Sequence, residues 1–253
     1  MPTAIAIAAH PDDIEFLMAG TLMRLQEAGY ELHYWNLANG CCGSTQYSRD
    51  STARVRRQEA MVAAAALGAT FHESICDDLA IFYDRPTLAK VASVIRAVNP
   101  YIVLTHAPVD YMEDHTNTCR LVVTAAFARG MPNFPVDPPQ AHVGNNVTVY
   151  HAQPYSHHDP LGNRVHPHLY VDVTALRDRK KAMLACHASQ KRWLDESQGH
   201  DSYLDAMANL DADLGSQTGR FRYAEGWRKH LHLGFCDAAD DPLRTALGEH
   251  ALP

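Results

Sequence analysis

The sequence lacks the marks of several classes of protein. No stretch approaches the roughly 20 apolar residues of a membrane-spanning helix, so we expect no membrane span. The N-terminus has no basic segment, and its apolar run is too short for a signal peptide. The formal net charge of −7 does not favour nucleic acid, which binds basic surfaces. These absences predict a cytoplasmic protein without a nucleic-acid partner.

The cysteines show no familiar spacing. None of the six forms a Cys-x-x-Cys pair, and two of them, Cys41 and Cys42, are adjacent. This pattern indicates neither a zinc ribbon nor a disulfide framework, and we expect free thiols in a reducing compartment. No G-x-G-x-x-G motif follows the first apolar segment, so a dinucleotide is not indicated.

Strand-like and helix-like segments alternate through the first 130 residues. Such alternation predicts an α/β fold with a doubly wound, mostly parallel, Rossmann-like sheet and helices on both faces. The pattern predicts strands at 3–9, 31–39, 69–74, 101–107, 147–153 and 168–173, and helices at 16–28, 51–68, 86–98 and 115–129.

The second half of the sequence is less regular. Residues 130–146 are rich in proline and asparagine, which favours a loop. From Ala175 onward we expect mainly helices, which form a helical C-terminal extension. One of these is predicted at "EGWRKH", with Glu225 as its cap.

The chain reads as one domain. Its 253 residues and 46% apolar content suit a single large core. We assign residues 1–253 to one α/β domain, in which residues 1–130 form a Rossmann-like half and residues 131–253 form a loop-rich and helical completion.

The first predicted strand ends abruptly at "HPDD". Pro11 has no backbone N–H and ends the ladder. His10, Asp12 and Asp13 therefore lie at the carboxyl edge of the sheet, where ligands bind in such folds. Imidazole and carboxylate groups are zinc ligands, and a catalytic zinc takes three ligands from the protein. The motif thus predicts part of a metal site whose third ligand comes from elsewhere.

A second polar motif, "DYMEDH", follows the strand at 101–107. His115 is the candidate third ligand, and Asp114 is a candidate partner for the other N–H of a ligating histidine. Aspartates at such positions also cap helices, but two motifs on neighbouring strands favour a metal. His106 is more typical of a satisfied residue at a strand end, and Asp110 of a carboxylate that structures a loop.

These motifs resemble the PIG-L/LmbE-like family of zinc-dependent N-deacetylases, the GlcNAc-PI de-N-acetylase-like proteins. The matching segments span about residues 4–227. They are "AHPDDIEFLMAGTLMRLQEAGYELHYWNLANG", "RVRRQEAMVAAAALGA", "VLTHAPVDYMEDHTNT", "VDVT", "KKAMLACHASQ" and "YAEGW".

The resemblance implies a ligand set and a mechanism. It implies Zn²⁺ held by His10, Asp13 and His115, with Asp12 as the general base for a zinc-bound water. The same donors do not exclude iron or manganese. It also implies a small-molecule substrate, an N-acetylated sugar derivative above all, and a homo-oligomer, either a trimer or a hexamer.

One position departs from the family pattern. Many relatives carry H-x-D-H, whose first histidine is thought to stabilise the oxyanion or protonate the leaving amine, but Met112 stands there in this sequence. Methionine can do neither. Tyr111, His157 and His158 are candidate replacements, since phenol and imidazole groups are hydrogen-bond donors. We also count His158 among the substrate-binding candidates.

Three other positions have weaker support. Arg56 is a candidate for contact with substrate oxygens, although an arginine on such a helix is usually solvated or paired with a residue such as Glu59. Asp78 matches a family carboxylate near the sugar site, but a turn residue fits equally. His187, in a predicted helix, is more typical of a structural residue or of a subunit contact.

The sequence therefore predicts a zinc-dependent hydrolase that removes an N-acyl group, acetyl above all, from an amino-sugar-like or small amide substrate. The absence of histidine at position 112 keeps open a zinc-dependent hydratase that acts on a carboxylated, unsaturated ring-cleavage product. A non-catalytic metal-binding or sugar-binding protein is the third alternative, and the retained Asp12 argues against it.

Overall fold

A computed structural model describes residues 1–198 and 203–253. Within these residues the strands form one sheet in the order β3-β2-β1-β4-β5-β7-β6-β8. Their bounds are β1 Thr3–Ala8, β2 Glu31–Asn36, β3 Thr70–His72, β4 Ile102–Thr105, β5 Thr148–Ala152, β6 Leu169–Asp172, β7 Ala224–Lys229 and β8 Ala251–Leu252. The helices are α1 Asp13–Leu17, α2 Ala19–Glu27, α3 Arg49–Leu67, α4 Arg85–Val98, α5 Glu113–Ala128, α6 Arg177–Leu184, α7 Ala188–Gln198, α8 Tyr203–Thr218 and α9 Pro242–Leu247.

The first five strands pair in parallel, as predicted, and the last three pair antiparallel. The α/β fold class with a mostly parallel sheet and flanking helices is confirmed. Burial on both faces of β1 explains why its residues 4–8 are all apolar. Ala4, Ala6 and Ala8 join one core with α2 and α3, while Ile5 and Ile7 join a second core with α4 and α5. A strand that is buried on both faces needs no polar alternation.

The prediction of a single helix at 16–28 is wrong. The chain breaks at Met18, where φ is −136°, and α2 starts anew after it. The N–H groups of Gly20 and Thr21 donate to the buried Glu225 carboxylate over 2.8 and 2.7 Å. A carboxylate satisfies and stabilises the N-terminal turn of a helix, so a distant residue allows α2 to begin in the interior.

The prediction of a helix at "EGWRKH" is also wrong. This segment is strand β7, which lies between β5 and β6, and its residues Ala224–Trp227 are buried. Pairing on both edges overrides the local pattern, as is common for strands. Glu225 does cap a helix, but that helix is α2, which lies 204 residues earlier in the sequence.

A buried ion cluster ties the C-terminal elements together. Lys180 of α6 is fully buried, with its Nζ 2.8 Å from Asp211 of α8 and 2.7 Å from Glu225 of β7. Through Glu225 the cluster reaches the start of α2. Three of the elements that follow residue 175, namely α6, α8 and β7, are therefore fixed to the N-terminal half by charge as well as by packing.

None of the helices that the structure describes is both long enough and apolar enough to cross a membrane.

Candidate metal centre

The carboxyl end of β1 and the first turn of α5 meet at one edge of the sheet, because β1 and β4 are neighbours. His10, Asp13 and His115 each offer one donor atom there, and these atoms lie within 4.8 Å of one another. Asp13 Oδ2 is 3.5 Å from His10 Nδ1 and 3.4 Å from His115 Nε2. The structure thus brings together the three predicted ligands, and they could hold a metal ion.

A carboxylate orients each of the two histidines. His10 Nε2 lies 3.1 Å from Asp114 Oδ2, and His115 Nδ1 lies 3.1 Å from Asp110 Oδ1. In both rings the remaining nitrogen faces Asp13. Metal-ligating histidines characteristically give their other N–H to a carboxylate in this way. Asp110, which the sequence presented only as a loop carboxylate, therefore has the same geometric relation to His115 as Asp114 has to His10.

The electrostatics of the cluster favour positive charge. Burial by itself lowers the pKa of both histidines, but the carboxylates outweigh it. Asp114 and Asp13 raise the pKa of His10 to about 9, and Asp13 and Asp110 raise that of His115 to about 10. Nearby histidines in turn hold the pKa of the Asp13 carboxyl well below its ordinary value, despite its burial.

The donor set fits a divalent transition metal. His115 Nε2 is buried and has no hydrogen-bond partner among the described residues, although a carboxylate and a second imidazole face it. Two imidazole nitrogens and one carboxylate oxygen suit zinc with an open fourth position, and they suit iron or manganese as well.

His106 follows β4 and borders this cluster, but its Nε2 already accepts a hydrogen bond. It is fully buried, its ring stacks on His115 with centroids 4.0 Å apart, and its Nε2 accepts the N–H of Ala9 over 2.9 Å. Burial lowers its pKa. Its Nδ1, however, is buried without a hydrogen-bond partner among the described residues, and its Nε2 also lies 3.3 Å from Asp13 Oδ2, so the prediction of a fully satisfied residue at a strand end is wrong.

Asp12 faces a different environment from its neighbour Asp13. Its φ of 108° is left-handed, a strained conformation for a residue other than glycine and one that clusters at functional sites. Tyr203 Oη donates to Asp12 Oδ2 over 2.5 Å, and Arg56 Nη2 lies 3.5 Å from Asp12 Oδ1. Burial raises the pKa of Asp12 to about 6, against the lowering effect of Arg56.

The two aspartates open onto one pocket of about 450 Å³, a size typical of small-molecule sites. Seven of the ten predicted site residues line it, together with Met112 and several apolar and aromatic side chains. The seven are His10, Asp12, Asp13, Arg56, Asp78, Tyr111 and His115. Asp114 lies behind His10 and also accepts the N–H of Leu79 over 2.7 Å.

Arg56 and Asp78 are fixed into the pocket wall. Arg56 is 2% exposed, and its Nη2 donates to the carbonyl of Pro11. It is therefore not on a solvated helix face, and Glu59 instead accepts from Ser189. Asp78 accepts two backbone N–H groups of the loop that follows β2.

His157 and His158 are not among the residues that line the pocket. His157 Nε2 lies 3.2 Å from the carbonyl of Leu210, and His158 Nδ1 lies 2.6 Å from that of Ser156. Ser156 and His157 both have a positive φ, and this turn directs His157 toward α8. The structure therefore does not bring these two predicted donors to the metal cluster.

Sequence reasoning missed Tyr203 and the surroundings of His187. Tyr203 lies 191 residues from Asp12 in the chain, and no motif marks it. His187 lies between α6 and α7 rather than inside a helix. It is fully buried, with its Nε2 3.3 Å from Glu15 Oε1. Glu15 is itself fully buried, so its carboxylate needs a partner, but the sequence does not show that burial.

Comparisons with known proteins relate the chain to metabolic enzymes of two kinds. A model of the family described as PIG-L, GlcNAc-PI de-N-acetylase, matches residues 5–126. The 4-oxalmesaconate hydratase of Pseudomonas putida is 28% identical over 75% of this chain and 74% of the relative. The diacetylchitobiose deacetylase of Thermococcus kodakarensis is 28% identical over 88% of this chain and 81% of the relative.

A solved structure extends the likeness to almost the whole chain. The crystal structure of the 4-carboxy-2-hydroxymuconate hydratase from Pseudomonas putida has a TM-score of 0.77 and 25% identity, and the match covers 95% of this chain and 99% of that chain. Both a hydratase and a deacetylase are therefore similar to this protein. The resemblance seen in the sequence is confirmed: the PIG-L family model matches residues 5–126, a little under half of the chain.

Proposed function

We propose that the protein is a metal-dependent amide hydrolase that removes an N-acyl group, acetyl above all, from an amino sugar or a similar small amide. The observation that carries the proposal is the position of Asp12. Its carboxyl group lines the same pocket as the three candidate ligands, but Tyr203 and Arg56 contact it instead of the ligand histidines. A carboxylate that is close to the cluster and outside the ligand set is suited to act as a general base.

The candidate ligands His10, Asp13 and His115 would hold the ion. A bound divalent ion supplies polarisation of the acyl carbonyl and a lowered pKa of water. Asp12 accepts the proton of the attacking water and later donates it to the leaving nitrogen as the C–N bond breaks. Tyr203 and Arg56 hold the Asp12 carboxyl in place during both transfers. Burial, which raises the pKa of this carboxyl to about 6, makes it a better proton acceptor than an ordinary aspartate.

Tyr111 is our candidate for the donor that Met112 cannot provide. It lines the pocket, and its ring meets that of His115 edge-on, with centroids 5.7 Å apart. Tyr111 is 57% exposed; its partial desolvation and the carboxylates of Asp13 and Asp110 raise the pKa of the phenol, which therefore keeps its proton. A protonated phenol can donate a hydrogen bond to the oxyanion that forms on the acyl carbon.

A hydratase acting on a carboxylated, unsaturated substrate is the second candidate. Two observations favour it: Met112 in the pocket wall and the unpaired Nε of Arg56. A buried guanidinium with an unused N–H suits a substrate carboxylate. The similarity to a Pseudomonas putida hydratase, in sequence and in structure, points the same way, whereas the position of Asp12 favours hydrolysis.

Product analysis with the zinc-loaded protein separates the two. We expect acetate and a free amine from at least one member of a panel that includes N-acetylglucosamine and N,N′-diacetylchitobiose. Asp12→Asn is the control and releases neither. If no amide in the panel is cleaved while a carboxylated diene loses its ultraviolet absorbance, the hydrolase assignment is wrong and the hydratase assignment replaces it.

A further inference from the structure

A second group of metal-binding side chains lies in the wall of the same pocket. Cys41, Cys42 and Asp78 each offer one donor atom, and the three atoms lie within 4.8 Å of one another. Cys42 and Asp78 line the pocket. Cys41 is buried and Cys42 is exposed, so an ion could reach the pair from the pocket side. We call these three residues the dithiol site.

The spacing of the two sulfur atoms fits a bridging metal. Cys41 Sγ and Cys42 Sγ are 3.9 Å apart. Two thiolates bound at about 2.3 Å to one tetrahedral zinc lie about 3.8 Å apart. A disulfide requires about 2.05 Å, and adjacent residues strain it because their Cα atoms are closer than disulfides prefer. The observed pair therefore matches metal coordination without rearrangement.

Asp78 holds the loop in this arrangement. Its two carboxylate oxygens accept the N–H of Gly40 over 2.7 Å and that of Cys42 over 2.9 Å. A carboxylate has about four acceptor positions, so about two remain, and one of them can bind a metal ion. Gly40 has a φ of +74°, and a Cβ there would lie 2.5 Å from the Arg56 side chain. The loop is thus fixed against a buried arginine and is organised before any ion binds.

Positive charge offsets most of the negative charge around the dithiol site. Two thiolates and one carboxylate carry three negative charges, of which a divalent ion neutralises two. Arg49 lies next to Cys41 and offsets part of the rest, since its guanidinium also forms an ion pair with Asp77.

We propose that Cys41, Cys42 and Asp78 form a second metal site, distinct from the His10, Asp13 and His115 cluster, for a thiophilic divalent ion such as zinc or cadmium. On binding, two S–H bonds break, two metal–sulfur bonds form and two protons go to solvent; no electron is transferred. Since soft thiolates select such ions, magnesium and calcium do not bind there. An ion at this position narrows the pocket, so excess zinc slows turnover by whatever reaction the pocket performs.

Cadmium titration of the reduced, metal-free protein tests the proposal. We expect two ions per chain and an ultraviolet thiolate-to-cadmium charge-transfer band. In Cys41→Ser/Cys42→Ser the band is lost and one ion remains, which also shows that the variant is folded. The single variant Cys42→Ser, at an exposed position, gives the same loss. Cys236→Ser lies outside the pocket and leaves both ions and the band unchanged.

A variant of the first cluster separates the two sites. His115→Ala loses one ion but keeps the charge-transfer band. The proposal is wrong if the reduced native protein shows no band, or if the band survives in Cys41→Ser/Cys42→Ser. If protein prepared without reductant has two fewer titratable thiols and the reduced form binds no cadmium through sulfur, the pair is a redox pair and not a metal site.

Discussion

The two walls of the pocket come from different parts of the chain. The wall with the candidate ligands is built by polar motifs at the ends of parallel strands, and it holds His10, Asp13 and His115. The wall behind Asp12 is completed from the C-terminal part by Tyr203, whose hydroxyl donates to Asp12. The first wall has the donors of a metal site, whereas the second buries a carboxyl group and raises its pKa. Adjacent aspartates thereby lie in different environments, which supports the two roles that we propose for them.

The largest loss of activity should follow from a change in the wall that holds His10, Asp13 and His115, which we call the ligand wall. His115→Ala removes one of three donors, so we expect zinc to be lost and turnover with it, because a site with two protein ligands no longer holds the ion tightly. Zinc content after dialysis and acetate release are the measurements. A variant that keeps its zinc at this site would show that His115 is not a ligand.

The buried ion cluster that links α6, α8 and β7 to α2 should respond strongly in stability. Lys180→Met leaves the buried Asp211 and Glu225 carboxylates without their cation, which we expect to lower the free energy of unfolding by about 3–5 kcal/mol. Urea denaturation measures the change. The matched control is Lys181→Met in the same helix, whose ion pair with Asp205 lies at the surface and contributes about 1 kcal/mol or less. Equal effects of the two substitutions would contradict the structural role of the cluster.

The wall behind Asp12 should show a smaller, more specific effect. Tyr203→Phe removes one hydrogen bond to a carboxylate, which corresponds to a loss of about tenfold to a hundredfold in kcat, with zinc content and KM unchanged. Tyr170→Phe is the control, because that hydroxyl bonds Gln217 outside the pocket. If both variants keep full kcat, Tyr203 does not position the base.

The smallest effect is expected for a residue that the sequence proposed and the structure places elsewhere. His158→Ala should leave kcat/KM within about twofold, as is usual for substitutions away from the reacting groups. The measurement is kcat/KM on the substrate that the amide panel identifies. A large loss would mean that the turn at 155–158 moves into the pocket when substrate binds.

The difference between the walls also explains what the sequence could predict. The ligand wall follows from local rules: Pro11 ends a strand, a histidine and an aspartate follow, and the neighbouring strand ends in a matching motif. The continuous apolar pattern of β1 likewise reflects burial on both faces. Such features are visible without tertiary information.

The other wall depends on contacts between residues that are far apart in the chain. Tyr203 reaches Asp12 across 191 residues and Glu225 reaches Thr21 across 204. The local pattern of the β7 segment favours a helix, whereas its strand conformation depends on pairing with β5 and β6 on either side. His157 looked like a donor in the sequence, but two residues with positive φ turn it toward α8.

The central claim is that Asp12 and Asp13 have separate roles, and measuring zinc content and turnover in Asp12→Asn and Asp13→Asn side by side tests it most directly. We predict that Asp12→Asn keeps its zinc and loses activity by about 10²- to 10⁴-fold, the usual contribution of a general base. Asp13→Asn should lose the zinc itself. If Asp12→Asn loses its zinc, or if it retains full turnover, the division between a ligand and a base is contradicted.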